Sequence, residues 1–261
     1  MFERPHHRRI ATVLQALDAD ALLANACLFG GGTAMALRFG EYRESVDIDF
    51  MVSRVDGYRQ LRQRLMGPEG LRAITRPGQV LNPSREMRAD QYGVRTLLEV
   101  EDADIKLEIV LEARIELEAP CPDDRLCGVA TLTPLDMATS KLLANSDRWR
   151  DDAVLSRDLI DLAMMAPPKK LLRRAIDKAR AAYGDNVVAD LAKAIENLRE
   201  RPHRLDQCMK ATGAMTHAGG VVASGAGAMT PGCGCPEGGL RARLDRRRAR
   251  GQRAGLAVLA D

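Results

Sequence analysis

The chain has 261 residues, 46% of them apolar, and a formal net charge of +3, enough apolar material to bury a real core as one moderate domain or two small ones. No uncharged stretch of about 18 residues is apolar enough to span a bilayer and no apolar signal core follows the basic start, so a cytoplasmic protein is expected. Cys27, Cys121, Cys127, Cys208, Cys233 and Cys235 show no Cys-x-x-Cys spacing, which supports neither zinc nor a disulfide framework. Before residue 213 the chain carries 32 basic and 33 acidic residues, a balance that argues against a broad nucleic-acid footprint on the body.

Apolar residues 26–29 read as a short buried strand, Gly30-Gly31-Gly32 as a turn, and residues 33–38 as the opening of a helix. A helix start offers unpaired N–H groups and the positive end of the dipole, and glycine lets a phosphate approach that backbone. Thr33 adds a hydroxyl. Neither a Walker loop nor the Gly-x-Gly-x-x-Gly dinucleotide pattern is present.

Next comes Val46-Asp47-Ile48-Asp49-Phe50-Met51-Val52. Alternation along a strand sends Val46, Ile48 and Phe50 to one face and Asp47 with Asp49 to the other. Two carboxylates held that close repel, and burial raises their pKa, unless a hard divalent cation with oxygen ligands neutralises them. Magnesium carrying a nucleoside triphosphate meets that requirement.

Residues 57–66 have helical spacing with a basic outer face and end at Gly67-Pro68. Strands are expected over 71–75, 92–100 and 105–113, the last two joined by a turn at 101–104, giving a mixed sheet of about five strands. Ile105, Leu107, Ile109 and Leu111 share the core face of the last strand, with Lys106 and Glu108 opposite. Glu108 is then either a third metal ligand, if this strand lies beside residues 46–52, or half of an exposed pair with Lys106.

From Thr133, which caps a helix with Pro134 at its first position, the period changes to 3.6. Helices are expected over 135–144, 154–165, 169–183 and 187–199, with a polar connector at 145–152. Lys141, on a mostly apolar helix, is either aimed at a triphosphate tail or is a surface lysine. Asp158 and Asp161 fall on one helical face and either position a base, the nucleotide or Lys141, or complement the helix start while Arg157 pairs locally. Trp149 either stacks on a base or covers the junction between sheet and bundle. His6, His7, His203 and His217 lie in termini or helix ends, away from the acids, and receive no role. Residues 213–261 hold 11 of the 22 glycines and 7 arginines, and read as a largely disordered tail with a short helix possible over 240–252.

Together, Gly31-Gly32-Thr33-Ala34-Met35-Ala36-Leu37-Arg38, then Ser45-Val46-Asp47-Ile48-Asp49-Phe50, then Lys141-Leu142-Leu143-Ala144 and Arg157-Asp158-Leu159-Ile160-Asp161-Leu162 resemble the signature of the AbiEii/AbiGii-type nucleotidyltransferase toxins. These are a branch of the polymerase-beta-like nucleotidyltransferases, and the likeness spans roughly residues 25 to 165. It implies an α+β (α/β-like) fold: a mixed nucleotidyltransferase sheet with flanking helices, then a C-terminal helical bundle and a disordered tail. The expected units are a catalytic domain at 1–120, a helical domain completing the cleft at 121–212, and the tail at 213–261.

The implied reaction is attack of an acceptor hydroxyl, on tRNA or protein, on the alpha-phosphate of an NTP, by a toxin paired with an antitoxin. Asp47, Asp49 and Glu108 would hold two Mg2+ ions, although the family's third acid is often Asp. Gly31, Gly32 and Thr33 would hold the triphosphate. Lys141 would take phosphate charge, with Asp158 or Asp161 supporting it. The rival readings are a small-molecule, antibiotic-type nucleotidyltransferase and a non-catalytic nucleotide-binding protein of the same fold.

Overall fold

The structure is a computed structural model and describes residues 2–213. The glycine- and arginine-rich tail, with its expected helix over 240–252, therefore lies outside the described residues apart from Gly213.

The chain opens with two helices that the sequence reading had not anticipated, α1 (Pro5–Ala16) and α2 (Ala19–Ala24). Pro5 at the first position of α1 has no N–H to leave unpaired, and Asp18 caps α2 by accepting from the Asp20 and Ala21 amides. Then follow β1 (Leu28–Gly30), α3 (Gly31–Arg38), β2 (Ile48–Val52) and α4 (Val55–Met66). Two short strands, β3 (Asn82–Pro83) and β4 (Arg88–Ala89), precede a hairpin of β5 (Gly93–Val100) and β6 (Ala103–Leu111). A small hairpin, β7 (Arg125–Leu126) and β8 (Val129–Ala130), leads into the helices α5 (Pro134–Arg148), α6 (Arg157–Met165), α7 (Lys169–Tyr183), α8 (Asn186–Glu200) and α9 (Arg204–Ala211).

Six strands form one mixed sheet in the order β1-β2-β6-β5-β3, with β4 also paired to β5. β2 runs parallel to β6, while β1 is antiparallel to β2 and β5 antiparallel to β6. Ile48, Phe50 and Val52 of β2 and Ile105, Leu107 and Ile109 of β6 share one apolar cluster with Ile10, Val13 and Leu14 of α1, Leu61 and Leu65 of α4, and Leu142 and Leu143 of α5. The expected α+β architecture, a mixed sheet with flanking helices and a helical C-terminal half, is what the chain forms.

Several local expectations are corrected. Residues 71–75 do not form a strand: Gly70–Ile74 is a 3-10 turn whose pitch buries Leu71, Ala73 and Ile74. Val46 lies before β2 and is 49% exposed, so the apolar face begins at Ile48. The turn between β5 and β6 is tighter than expected, since Val100 pairs directly with Ala103 and Glu101 takes a left-handed φ of 56°. Much of the supposed connector at 145–152 continues α5 to Arg148, and α6 starts only at Arg157, after Leu155 and Ser156 in left-handed conformations. Thr133 does cap α5, accepting from the Asp136 amide beside Pro134.

Candidate active site

Asp49 stands where alternation along β2 places it, and Asp47 immediately precedes the strand. Ile48 and Phe50 are buried while Asp47 and Asp49 are partly open. The glycine turn is in direct contact with this face. Gly30 is the Cα partner of Asp49 across the β1–β2 pair, and Gly31, at φ 68°, points so that any Cβ there would collide with the Asp49 carboxylate. Gly31 is therefore required twice, by its left-handed backbone and by the space the acid occupies.

On the other side, the parallel register sets Asp49 opposite Glu108. Burial pushes the Asp49 carboxyl up to about 6, with the charges of Asp47 and Glu108 adding to the shift and those of Lys106 and Lys141 opposing it. Three acids and two lysines thus share a single electrostatic environment around Asp49. Glu108 itself is held by cations: Arg95 Nε donates to Oε1 and Lys106 Nζ to Oε2, both at 2.5 Å. Burial opposes its ionisation, but these two bonds prevail and hold Glu108 below the usual range. Lys106 and Glu108 therefore do form the pair that was one of the two sequence readings. Among the described residues, no group of three or more His, Cys, Asp or Glu side chains is gathered closely enough to hold a metal ion.

Asp47 and Asp49 fit a divalent cation by chemistry: paired oxygen donors, with one carboxyl driven toward neutrality by burial and like charge. In this arrangement Glu108 faces Arg95 and Lys106 instead.

Thr33 departs from its expected place. Its side chain is fully buried, donates to the Asp47 carbonyl oxygen at 2.5 Å and lies 2.9 Å from the Ser45 hydroxyl. The hydroxyl fastens the start of β2 to α3, so a phosphate would meet the backbone of Gly31 and Gly32 rather than this oxygen.

Behind the acids lies a buried charge cluster. Lys141, 6% exposed on α5, sits 2.7 Å from Asp161 and 3.1 Å from Asp158. Arg43 reaches Asp161 with Nε on Oδ1 at 2.7 Å and Nη2 on Oδ2 at 2.9 Å, and the Tyr42 hydroxyl donates to Oδ1 at 2.6 Å. Arg148 grips Asp158 with Nε on Oδ2 at 2.7 Å and Nη2 on Oδ1 at 3.0 Å.

Three cations therefore face two carboxylates, and the surplus positive charge borders Asp49. Burial works against both aspartates, yet Lys141 and the arginines outweigh it: Asp158 is held down to about 2 and Asp161 is also lowered. Of the alternatives for Asp158 and Asp161, positioning Lys141 is the one this geometry supports. Lys141, expected to take phosphate charge with Asp158 or Asp161 supporting it, has its ammonium enclosed by both of these acids. Arg157, in contrast, pairs locally with the Val154 carbonyl. Trp149 packs against the core and donates to Asp190 at 3.2 Å.

Sequence reasoning missed Tyr42, Arg43, Arg95 and Arg148. Nothing in periodicity marks a loop arginine whose partner lies 118 residues away. It also placed His6 and His7 away from the acids. They sit instead on the loop that leads into Asp47: His6 is 3.0 Å from the Val46 carbonyl and His7, fully buried, is 3.2 Å from the Ser45 amide.

The sequence profile described as "Nucleotidyl transferase AbiEii toxin, Type IV TA system" matches residues 12–216, most of the chain. The protein belongs to the AbiEii nucleotidyltransferase toxin family. Membership makes it a nucleotidyltransferase, drawn from a family of type IV toxin–antitoxin systems. No curated protein matches it. Among solved structures, JHP933 from Helicobacter pylori aligns with 16% identity and a TM-score of 0.41 over 79% of this chain and 99% of its own. A candidate nucleotidyltransferase from H. pylori aligns with 13% identity and a TM-score of 0.34 over 77% of this chain and 95% of its own. Among the described residues of this AbiEii-family chain, no helix is long and apolar enough to cross a membrane.

Proposed function

We propose that this AbiEii-family protein transfers a nucleoside monophosphate from an NTP to an acceptor hydroxyl on tRNA or protein, in a Mg2+-dependent reaction, as the toxin opposed by a cognate antitoxin in the cytoplasm. The observation that carries this reading is the contact between the glycine turn and Asp49, which brings a phosphate-accepting backbone against a carboxylate whose proton affinity is raised.

In this reading Gly31 and Gly32 receive the triphosphate through the first amides of α3, and Asp47 and Asp49 hold the metal. Bound there, a divalent cation would relieve the repulsion between the acids, activate the attacking oxygen and neutralise charge on the departing pyrophosphate. Glu108 is the third ligand, once Arg95 and Lys106 turn toward the incoming phosphates. Lys141 supplies a positive field beside Asp49, and Asp158 and Asp161 hold it in place. The division into a catalytic unit at 1–120 and a helical unit at 121–212 follows, the second contributing Lys141, Asp158 and Asp161 to a cleft whose acids belong to the first.

The test is incubation of purified protein with each alpha-labelled NTP, Mg2+ and either total cellular RNA or total protein. Label should move to one class of acceptor and Asp47→Ala should abolish the transfer while the variant stays folded. Transfer that survives Asp47→Ala would sink the assignment.

A further inference from the structure

Asp47 stands one residue before the sheet ladder begins. The pairing of β2 with β6 starts at Ile48 opposite Leu107, and that with β1 covers residues 49 to 51. The backbone of Asp47 is therefore held by side chains. On its C-terminal side, the Thr33 hydroxyl donates to the Asp47 carbonyl. On its N-terminal side, both partners come from α1. The His6 Nε2–H donates to the Val46 carbonyl at 3.0 Å, within the peptide that joins Val46 to Asp47. The His7 Nε2 accepts from the Ser45 amide at 3.2 Å, while its Nδ1–H donates to the Glu41 carboxylate at 2.8 Å.

The partners require a proton on Nε2 of His6, and on Nδ1 but not Nε2 of His7, since a carbonyl or carboxylate can only accept and an amide N–H can only donate. Burial pushes the His7 imidazole down despite Glu41 beside it, with Arg4 and Glu44 the other charges that face it, which suits a ring that must stay neutral to accept. Ser45 continues the chain of bonds to Thr33 at 2.9 Å. The histidine pair lies ahead of residue 12, where the family match begins.

We infer that His6 and His7 are positioning residues for Asp47: from α1 they grip the segment just before it and so fix where its carboxylate stands at the phosphate turn. The inference rests on the metal-ligand role proposed above for Asp47. Outer partners that orient a metal ligand are commonly worth about 10-fold or more in metal affinity or activity. His6 is the informative position, because its ring is only partly buried and its loss leaves the His7–Glu41 contact intact.

The full chain is compared with His6→Ala, His7→Gln and Ile10→Val, the last a buried change on the same helix that alters packing alone. Mn2+ affinity is read by electron paramagnetic resonance without nucleotide, and kcat and NTP KM by label transfer. His6→Ala should weaken Mn2+ binding and lower kcat by about 10-fold, with NTP KM within about 2-fold of the parent. His7→Gln, which retains one donor and one acceptor, should stay within about 3-fold of the parent on both readouts. Ile10→Val should lower the melting temperature and change neither.

Parent-like Mn2+ affinity in His6→Ala overturns the clamp, as does a loss that Ile10→Val reproduces at equal melting temperature. A parent protein that binds no Mn2+ also counts against it. If the parent transfers no label to any acceptor, the proposed reaction fails, and the clamp is decided on Mn2+ affinity alone.

Discussion

Arg43 and Asp161 are 118 residues apart in sequence and joined by two parallel hydrogen bonds of 2.7 and 2.9 Å. Their union ties the loop that precedes the carboxylate strand to α6. The same guanidinium fills the space beside Gly32, where a Cβ would collide with Nη2. One buried ion pair therefore fixes the glycine turn, the approach to Asp47 and the surroundings of Lys141 together.

Removal of Asp161 should be severe. Asp161→Ala leaves Arg43 and Lys141 buried with too little negative charge, a change that costs about 3–5 kcal/mol. Arg43→Lys should cost less, roughly 1–3 kcal/mol, since it keeps the charge and loses the fork. Urea denaturation of both variants checks the order, and equal stability of Asp161→Ala and the parent would remove the cluster from any structural role.

Acid should loosen this cluster in a defined window. The folded protein keeps Asp158 ionised down to about 2, whereas in the unfolded chain the carboxyl takes up its proton near 3.8. Its stabilising contribution is thus complete above about pH 4 and fades as the pH falls toward 2. Asp158→Asn should flatten the stability profile across that interval and lower stability at neutral pH. Thermal melts at stepped pH provide the measurement.

Asp49 has the opposite sign. Its folded pKa of about 6 lies above the unfolded value of 3.8, so the metal-free fold binds the proton more tightly than the unfolded chain. Stability should therefore decline as the pH rises from about 4 to 6, by up to roughly 3 kcal/mol. Asp49→Asn should be more stable than the parent at pH 7 in EDTA and at least about 100-fold less active. A flat parent profile in EDTA would remove the electrostatic argument for a cation at this position.

Gly31→Ala should separate folding from chemistry. The substitution strains a backbone at φ 68° by about 1–2 kcal/mol and drives its methyl into the Asp49 carboxylate. We expect a folded protein with a modestly lower melting temperature and label transfer reduced by at least about 100-fold. Activity within a few-fold of the parent would mean that the glycine turn and Asp49 do not work together.

The acids of β2 were legible in the sequence because a strand's period of two is a local property: Ile48 and Phe50 go inward, and Asp47 and Asp49 must then face the other way. Glu108 was legible for the same reason, one strand further on. Its apposition to Asp49 needed the parallel pairing of β2 with β6. Residues 71–75 misled because a short apolar run suits a strand or a turn of helix equally; the 3-10 turn of Gly70–Ile74 buries Leu71, Ala73 and Ile74 without a strand. α1 is hard to see in the sequence because its polar first turn reads as a charged terminus, although Ile10, Val13 and Leu14 carry the helical period.

By itself, then, the sequence determined which groups are candidates for the chemistry: the glycine turn, the two aspartates, Glu108, Lys141 and the paired aspartates of α6. Periodicity and turn chemistry act over a few residues and need no partner. Only the tertiary structure decided what each charge meets. It enclosed Lys141 between Asp158 and Asp161, turned Glu108 toward Arg95, directed the Thr33 hydroxyl inward, and set two histidines of α1 against the approach to Asp47. Those outcomes depend on segments far apart in the chain competing for the same buried contacts, and no local pattern encodes which of them prevails.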